Sequence, residues 1–314
     1  MIIALAGGVG GAKLVHGLAA VLPPEALQVV VNTGDDFDHL GLRVCPDLDT
    51  VMYTLAGRAN PETGWGLAGE TWHFMEALQR LGGETWFRLG DQDLATHVRR
   101  TCRLAAGETL SQVTAQLCQS LGIAHPVAPM TNEPVRTMVH TADGELGFQD
   151  YFVRRQCAPE VLGLRYAGAA QARPSPALTQ ALRDPRLRAI VICPSNPYLS
   201  IAPLLALPGM RAQLRQAGVP VIAVSPIVGG AAIKGPAAKI MCELGLEVSA
   251  LEVARHYSPL IDACVLDHAD AALASAVNAL GIAPLVTGTV MRSMPDRIQL
   301  AHEVLGFAEG MACP

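Results

Sequence analysis

The apolar positions of this chain alternate between short continuous runs and helical spacing. Ile2 to Ala6 is unbroken apolar sequence, the pattern of a strand buried on both faces. Lys13 to Leu22 then takes helical spacing, with Leu14, Leu18, Val21 and Leu22 near one face. Leu27 to Thr33 predicts a second strand. Cys45-Pro-Asp-Leu-Asp-Thr50 opens a helix that continues through Val51, Met52 and Leu55. From Gly57 to about Gly122 the pattern is largely helical, over Glu70–Leu81, Asp91–Ala105 and Leu110–Leu121. Val135 to Val153 predicts a β-hairpin turning at Ala142-Asp-Gly-Glu145, with Phe148, Tyr151 and Phe152 on its return strand. The βα rhythm then resumes, with strands at Arg188–Cys193, Pro220–Val224, Ala263–Leu266 and Ala283–Val286 and a last helix over Asp296–Ala308. Such alternation predicts an α/β protein with a mainly parallel sheet. Its core comprises residues 1–56 and 123–314, and 57–122 form an inserted helical subdomain.

Between the first strand and helix stand Gly7, Gly8, Gly10 and Gly11, followed by Lys13. A glycine loop lets a polyanion approach backbone N–H groups at a helix N-terminus, where the dipole adds partial positive charge. A turn alone needs fewer glycines, so a phosphate site is the better reading. The loop is neither a Walker loop, since Leu14 follows Lys13, nor a dinucleotide fingerprint, since Lys13 stands where the third glycine belongs.

Asn32-Thr33-Gly-Asp-Asp36 ends the second strand on the edge where α/β proteins bind ligands. Asp47 and Asp49 fall at the next helix start, where either could cap free N–H groups. Four aspartates near a phosphate loop, Asp35, Asp36, Asp47 and Asp49, repel the phosphate unless a hard cation such as Mg²⁺ lies between them. In Asp91–Ala105, Asp93 and His97 share a face with Arg100, as a solvated pair would. With no serine motif they do not make a hydrolase. Pro194-Ser-Asn-Pro197 and Ser225–Pro236 place hydrogen-bonding residues at the ends of two further strands.

The chain has 314 residues, half of them hydrophobic, and a net charge of −5 with no long basic run, which argues against nonspecific nucleic-acid binding. No run of about 18 uncharged apolar residues predicts a membrane span. No signal peptide is legible at the N-terminus. Eight cysteines without a C-x-x-C pair support neither zinc nor disulfides, and point to the cytoplasm. Only 4% of the chain is aromatic, which makes Trp65, Trp72, Trp86 and the Phe148–Phe152 cluster conspicuous as packing or as a stacking surface.

Taken in order, Gly7–Lys13, Asn32–Asp36, Pro46–Thr50, Gly90–His97, Pro194–Pro197 and Ser225–Gly229 resemble the motifs of the 2-phospho-L-lactate transferases of coenzyme F420 biosynthesis. The resemblance implies a Rossmann-like, doubly wound core with a helical insert. It implies Mg²⁺-dependent transfer of a phospho-acid from its guanosine diphosphate diester to the side-chain hydroxyl of the deazaflavin Fo, releasing GMP, in a cytoplasmic homodimer. By position, Gly7, Gly8, Gly10, Gly11 and Lys13 would hold the diphosphate, with Asn32 and Thr33 at the same edge. Asp36 and Asp49 would bind Mg²⁺, supported by Asp35 and Asp47. Ser195, Asn196 and the Ser225–Gly235 loop, with Lys234, would hold the guanosine. Asp93, His97 and Arg100 would face Fo or the small acid, and Asp36, Asp49 and Arg100 are the expected catalytic residues. Two rivals are a nucleotide-sugar-binding regulator sharing the glycine loop and a dehydrogenase.

Overall fold

The computed structural model describes residues 1–312; Cys313 lies outside them. Three apolar runs build the first half of a central sheet: β1 (Ile2–Ala6), β2 (Leu27–Val31) and β5 (Val127–Pro129). Between the last two lies a small hairpin of β3 (Phe37–His39) and β4 (Leu42–Val44). A separate antiparallel sheet follows, of β6 (Arg136–Thr141), β7 (Gly144–Gly147) and β8 (Gly163–Ala167). The chain then returns through β9 (Ala189–Ile192), β10 (Val221–Val224), a two-residue pair β11 (Ile227–Val228) and β12 (Ala231–Ala232), β13 (Ala263–Asp267) and β14 (Ala283–Thr287).

The seven-stranded sheet runs β14-β13-β10-β9-β1-β2-β5, with every neighbouring pair parallel. The chain moves outward from β1 to β2 and β5, then crosses back to lay β9 on the other side of β1. Strand order therefore reverses between β1 and β9, and α/β proteins bind ligands in the crevice at such a point. The doubly wound fold expected from sequence is the one observed.

β1 is buried throughout because both sheet faces are covered. Ile3 and Leu5 enter one core cluster; Ile2, Ala4 and Ala6 enter the other. The second cluster is roofed by α1 (Gly8–Val21), α2 (Pro46–Leu55) and the C-terminal helix Met294–Ala312. At Gly17 an added Cβ would stand 2.1 Å from the Arg297 carbonyl oxygen, so glycine is what lets that helix lie against α1.

The insert carries α3 (His73–Arg80), α4 (Asp91–Ala105) and α5 (Leu110–Ser120). It divides in two. Leu110, Val113 and Leu117 of α5 join the core cluster of α1, so α5 is the crossover helix between β2 and β5. The remainder has its own small core of Val44, Met75 and Leu89, shared with the β3–β4 hairpin. Glu70 accepts the Gln92 and Asp93 N–H groups, and Asp91 accepts those of His73 and Phe74. These reciprocal caps explain the polar start of α4.

Candidate active site

The first helix begins at Gly8 rather than near Lys13, so the glycines are its first turn. Gly7 is extended, and its N–H donates to Ser195 Oγ at 3.0 Å. Of the four glycines only Gly8 takes a left-handed φ, +62°. The others are close-approach positions. A Cβ on Gly10 would lie 2.2 Å from the Pro194 carbonyl oxygen, one on Gly11 2.5 Å from Ser195 Oγ, and one on Gly7 2.5 Å from Asp47 Oδ2. Missing side chains thus draw the helix start onto the loop after β9 and onto α2. Gly7, at the N-cap, offers no capping side chain, and the first turn carries no acid of its own. The Gly8 N–H faces the Asp47 carboxylate, and the N–H groups that follow it are left for a ligand. Lys13, on the same cavity wall, donates to the Met291 carbonyl at 2.8 Å, and burial lowers its pKa.

Asp47 is held beside this turn by Asn32, whose Nδ2 donates to Oδ2 at 2.9 Å while its Oδ1 accepts the Gly34 N–H at 2.9 Å. Burial pushes Asp47 up to about 6. Burial, and then the charge of Asp47, push Asp35 well above the carboxylate range; its buried Oδ1 has no partner. Both line the cavity. Asn32 and Thr33, expected at this edge, are buried and off the cavity wall: Asn32 reaches it through Asp47, and the Thr33 carbonyl accepts the Asp36 N–H. Asp36 belongs elsewhere: 2% exposed and off the cavity wall, it sits by Cys45 with Arg136 nearby, and burial raises it to about 7. Of the expected Asp36–Asp49 pair only Asp49 lines the cavity, because the turn after β2 brings Asp35 rather than Asp36 to its wall.

On α4, Asp93, His97 and Arg100 do share a face, and it turns inward rather than to water. Arg100 grips Asp49 in a fork, Nη1 to Oδ2 at 3.1 Å and Nη2 to Oδ1, and Nη1 also donates to the Arg43 carbonyl at 3.3 Å. Arg100, expected to contact substrate, is 1% exposed and off the cavity wall, with its guanidinium on Asp49. His97 Nδ1 lies 3.2 Å from Arg100 Nη1, and its Nε2 lies 3.2 Å from Asp93 Oδ2. Tyr53 Oη donates to Asp93 Oδ1 at 2.5 Å. Burial pushes Asp49 up while Arg100 and His97 pull it back. Burial also opposes ionisation of Asp93, but His97 and Tyr53 outweigh it and leave its pKa lowered. Asp49, Asp93 and His97 bring donor atoms within 4.8 Å of one another. Tyr53 escaped the sequence reading, although it stands one helical turn after Asp49.

These groups meet in one cavity of about 1010 Å³. On the β9–β10 side Ser195, Asn196, Ser225, Lys234 and Gly235 line it. Asn196 Oδ1 accepts the Tyr198 and Leu199 N–H groups, and its buried Nδ2 has no partner. Ser225 spends its hydroxyl on the Ile227 carbonyl at 2.9 Å, shaping its own turn. Lys234 donates to the Thr63 carbonyl, and Gly235 adopts φ +75°. Trp65, Trp86, Phe87, Phe148 and Phe152 give the cavity an aromatic lining, Trp65 from the turn that Lys234 bonds. The expected return strand ends early here. β7 stops at Gly147, and Asp150–Arg154 coil into a helical turn. Phe148 and Phe152 thereby stack, ring centroids 5.3 Å apart at 11°.

An uncapped helix N-terminus at the switch point of a doubly wound sheet, facing buried carboxylates and an aromatic wall, defines an α/β protein built to handle a phosphate ester. More narrowly, the chain belongs to the family of 2-phospho-L-lactate transferase CofD, whose model matches residues 2–281. It is 43% identical over 314 residues to the phosphoenolpyruvate transferase of Streptomyces coelicolor, covering 98% of each chain. With the 2-phospho-L-lactate transferase of Methanosarcina barkeri it shares 38% over 312 residues, covering 99% of this chain and 100% of the other. A solved member of the UPF0052 family from Bacillus halodurans superposes with a TM-score of 0.62 over 97% of this chain and 98% of that one; at 14% identity this shows the fold alone.

Proposed function

We propose that this transferase takes the guanosine diphosphate diester of a small phospho-acid (2-phospholactate, phosphoenolpyruvate or 3-phosphoglycerate) and passes the phospho-acid to the side-chain hydroxyl of the deazaflavin Fo, releasing GMP, in coenzyme F420 biosynthesis. The observation that carries this reading is one cavity joining the free N-terminus of α1, the aspartates and an aromatic wall, in a chain of this family. The first-turn N–H groups of α1 and Lys13 receive the diphosphate. Ser195, Asn196 and the loop to Gly235 receive the guanosine, with Asn196 Nδ2 as a free donor.

Mg²⁺ fits Asp35 and Asp47: an oxygen-only pair, buried, pushed up by burial, with Asp35 Oδ1 unpartnered. When bound there, it would neutralise phosphate charge. The Asp49–Asp93–His97 group is a second donor set, but its charges are already met by Arg100 and Tyr53. Asp93 offers the acceptor's hydroxyl an ionised carboxylate on the insert side. The reaction needs positioning and charge stabilisation more than covalent chemistry. The seven described cysteines are all free, which supports a reducing, cytoplasmic setting. No helix among the described residues is long and apolar enough to cross a membrane.

Chromatography of the nucleotides tests the reading: GMP should appear only when diester, Fo and Mg²⁺ are all present. GMP release at the same rate without Fo would overturn it.

A further inference from the structure

Asn32 directly follows β2, and its main-chain N–H donates to the Ala6 carbonyl of β1 at 3.0 Å. It is buried and off the cavity wall, yet its amide is fully engaged. Nδ2 donates to Asp47 Oδ2 at 2.9 Å and to the Leu199 carbonyl at 3.3 Å, while Oδ1 accepts the Gly34 N–H at 2.9 Å. An ionised carboxylate and a carbonyl only accept, and an N–H only donates, so the amide has a single orientation that satisfies all three. Its two acceptors belong to different parts of the fold. Asp47 is in the first turn of α2, and Leu199 is in the turn after β9. Because β2 and β9 flank β1 on opposite sides, one side chain spans the switch point of the sheet.

The turn that Asn32 grips is built around Asn196. Asn196 Oδ1 accepts the Tyr198 and Leu199 N–H groups, and its main-chain carbonyl accepts those of Ser200 and Ile201 at 2.9 and 3.3 Å. Consecutive N–H groups thus close on one residue, so the turn and the Asn196 side chain move together. Tyr166 Oη braces the same turn from β8, donating to the Tyr198 carbonyl at 2.7 Å. Asn196 and Ser200 both line the cavity, and the buried Asn196 Nδ2 has no partner. Whatever fixes the Leu199 carbonyl therefore fixes the amide that faces the cavity.

Resting on the Mg²⁺ and guanosine assignments above, we infer that Asn32 is a positioning residue for both. It ties the metal-binding Asp47 carboxylate to the turn that carries Asn196, so that Mg²⁺ and a guanosine each bind more tightly when the other is present, without a phosphate between them. Asp47 cannot be drawn toward a cation without the amide following, and the amide takes the Leu199 carbonyl with it. Whichever ligand binds first orders the shared amide and turn, and the second no longer bears that cost. Such coupling is reciprocal.

Calorimetry with the nucleoside guanosine, which carries no phosphate, and with Mg²⁺ as the second ligand tests this. In the unmodified protein saturating Mg²⁺ should tighten guanosine binding about five- to tenfold, and saturating guanosine should tighten Mg²⁺ binding by the same factor. Asn32→Ala removes no contact to either ligand. It should nonetheless weaken both and bring each factor to within about twofold of unity. Unchanged guanosine stoichiometry marks the variant as folded. Guanosine binding that Mg²⁺ leaves unchanged or weakens in the unmodified protein overturns the inference, whether or not the variant folds. So does a factor that survives in Asn32→Ala, which would place the coupling in direct contact between the ligands. Unmodified protein that fails to bind Mg²⁺ or guanosine would instead overturn the assignments of those sites, and the inference with them.

Discussion

Arg100 is the sharpest place to test how the site is held. Its guanidinium forks onto Asp49, and both side chains are almost wholly buried. Replacing Arg100 with Met keeps much of the volume but leaves a carboxylate in a dry site. Breaking one side of such a pair costs about 3–5 kcal/mol. An unfolding entropy of about 2.1 cal/mol/K per residue over 314 residues is about 0.66 kcal/mol/K, so the melting temperature should fall by about 5–8 °C. Arg100→Lys should fall less but clearly, because an ammonium cannot reproduce the fork. A second signature follows from protonation. Without Arg100 the Asp49 carboxyl rises further above its unfolded value, so the penalty applies where it is ionised and fades as pH falls. The deficit measured by calorimetry at about pH 8 should therefore shrink at about pH 5. In a double-mutant cycle, adding Asp49→Asn should recover part of the loss. A variant that melts within about 1 °C of the parent yet loses most of its turnover would refute the reasoning and put Arg100 on the substrate.

Three further outcomes are expected. Gly10→Ala drives a Cβ toward the Pro194 carbonyl and should cost about 1–3 kcal/mol, about 2–5 °C in melting temperature, together with weaker GDP binding by calorimetry; a variant unchanged in both would return the glycine to a simple turn. Burial, with a smaller push from Arg211, lowers His256 to about 4, so its stabilisation is complete above pH 6.5 and is lost as pH falls toward 4. His256→Phe should melt with a flatter acid limb, the difference reaching about 3 kcal/mol, and parallel limbs would show that His256 charges freely in the fold. Burial raises Asp47 to about 6, so its contribution is present at low pH and is lost as pH rises through that value. Mg²⁺ needs ionised ligands and should raise the melting temperature more at about pH 8 than at about pH 5; an equal effect at both would separate the cation from Asp47.

Much of this was legible in the residues, and the exceptions have physical causes. The apolar runs of the sheet and the turn glycines between them located six of its seven strands. β5 was hidden because it is three residues long and ends in Pro129, which reads as loop. The β3–β4 hairpin is equally short, and its apolar side chains serve the insert rather than the main core. Helical spacing placed Asp93, His97 and Arg100 on one face. It could not show that Asp49, 51 residues earlier, faces Arg100, since that pairing is made by packing α4 on α2. Asp35 and Asp36 are adjacent in sequence, and only the turn decides which one reaches the cavity.

The central claim is the transfer itself, and the mass of the product tests it most directly. The chain should be mixed with Fo, Mg²⁺ and each of the three guanosine diphosphate diesters in turn, and the deazaflavin recovered for mass spectrometry. The account predicts a deazaflavin heavier by one phospho-acid, less one water, in molar balance with the GMP released, for at least one diester. Fo recovered unchanged from all three, with diester and protein intact, would contradict it.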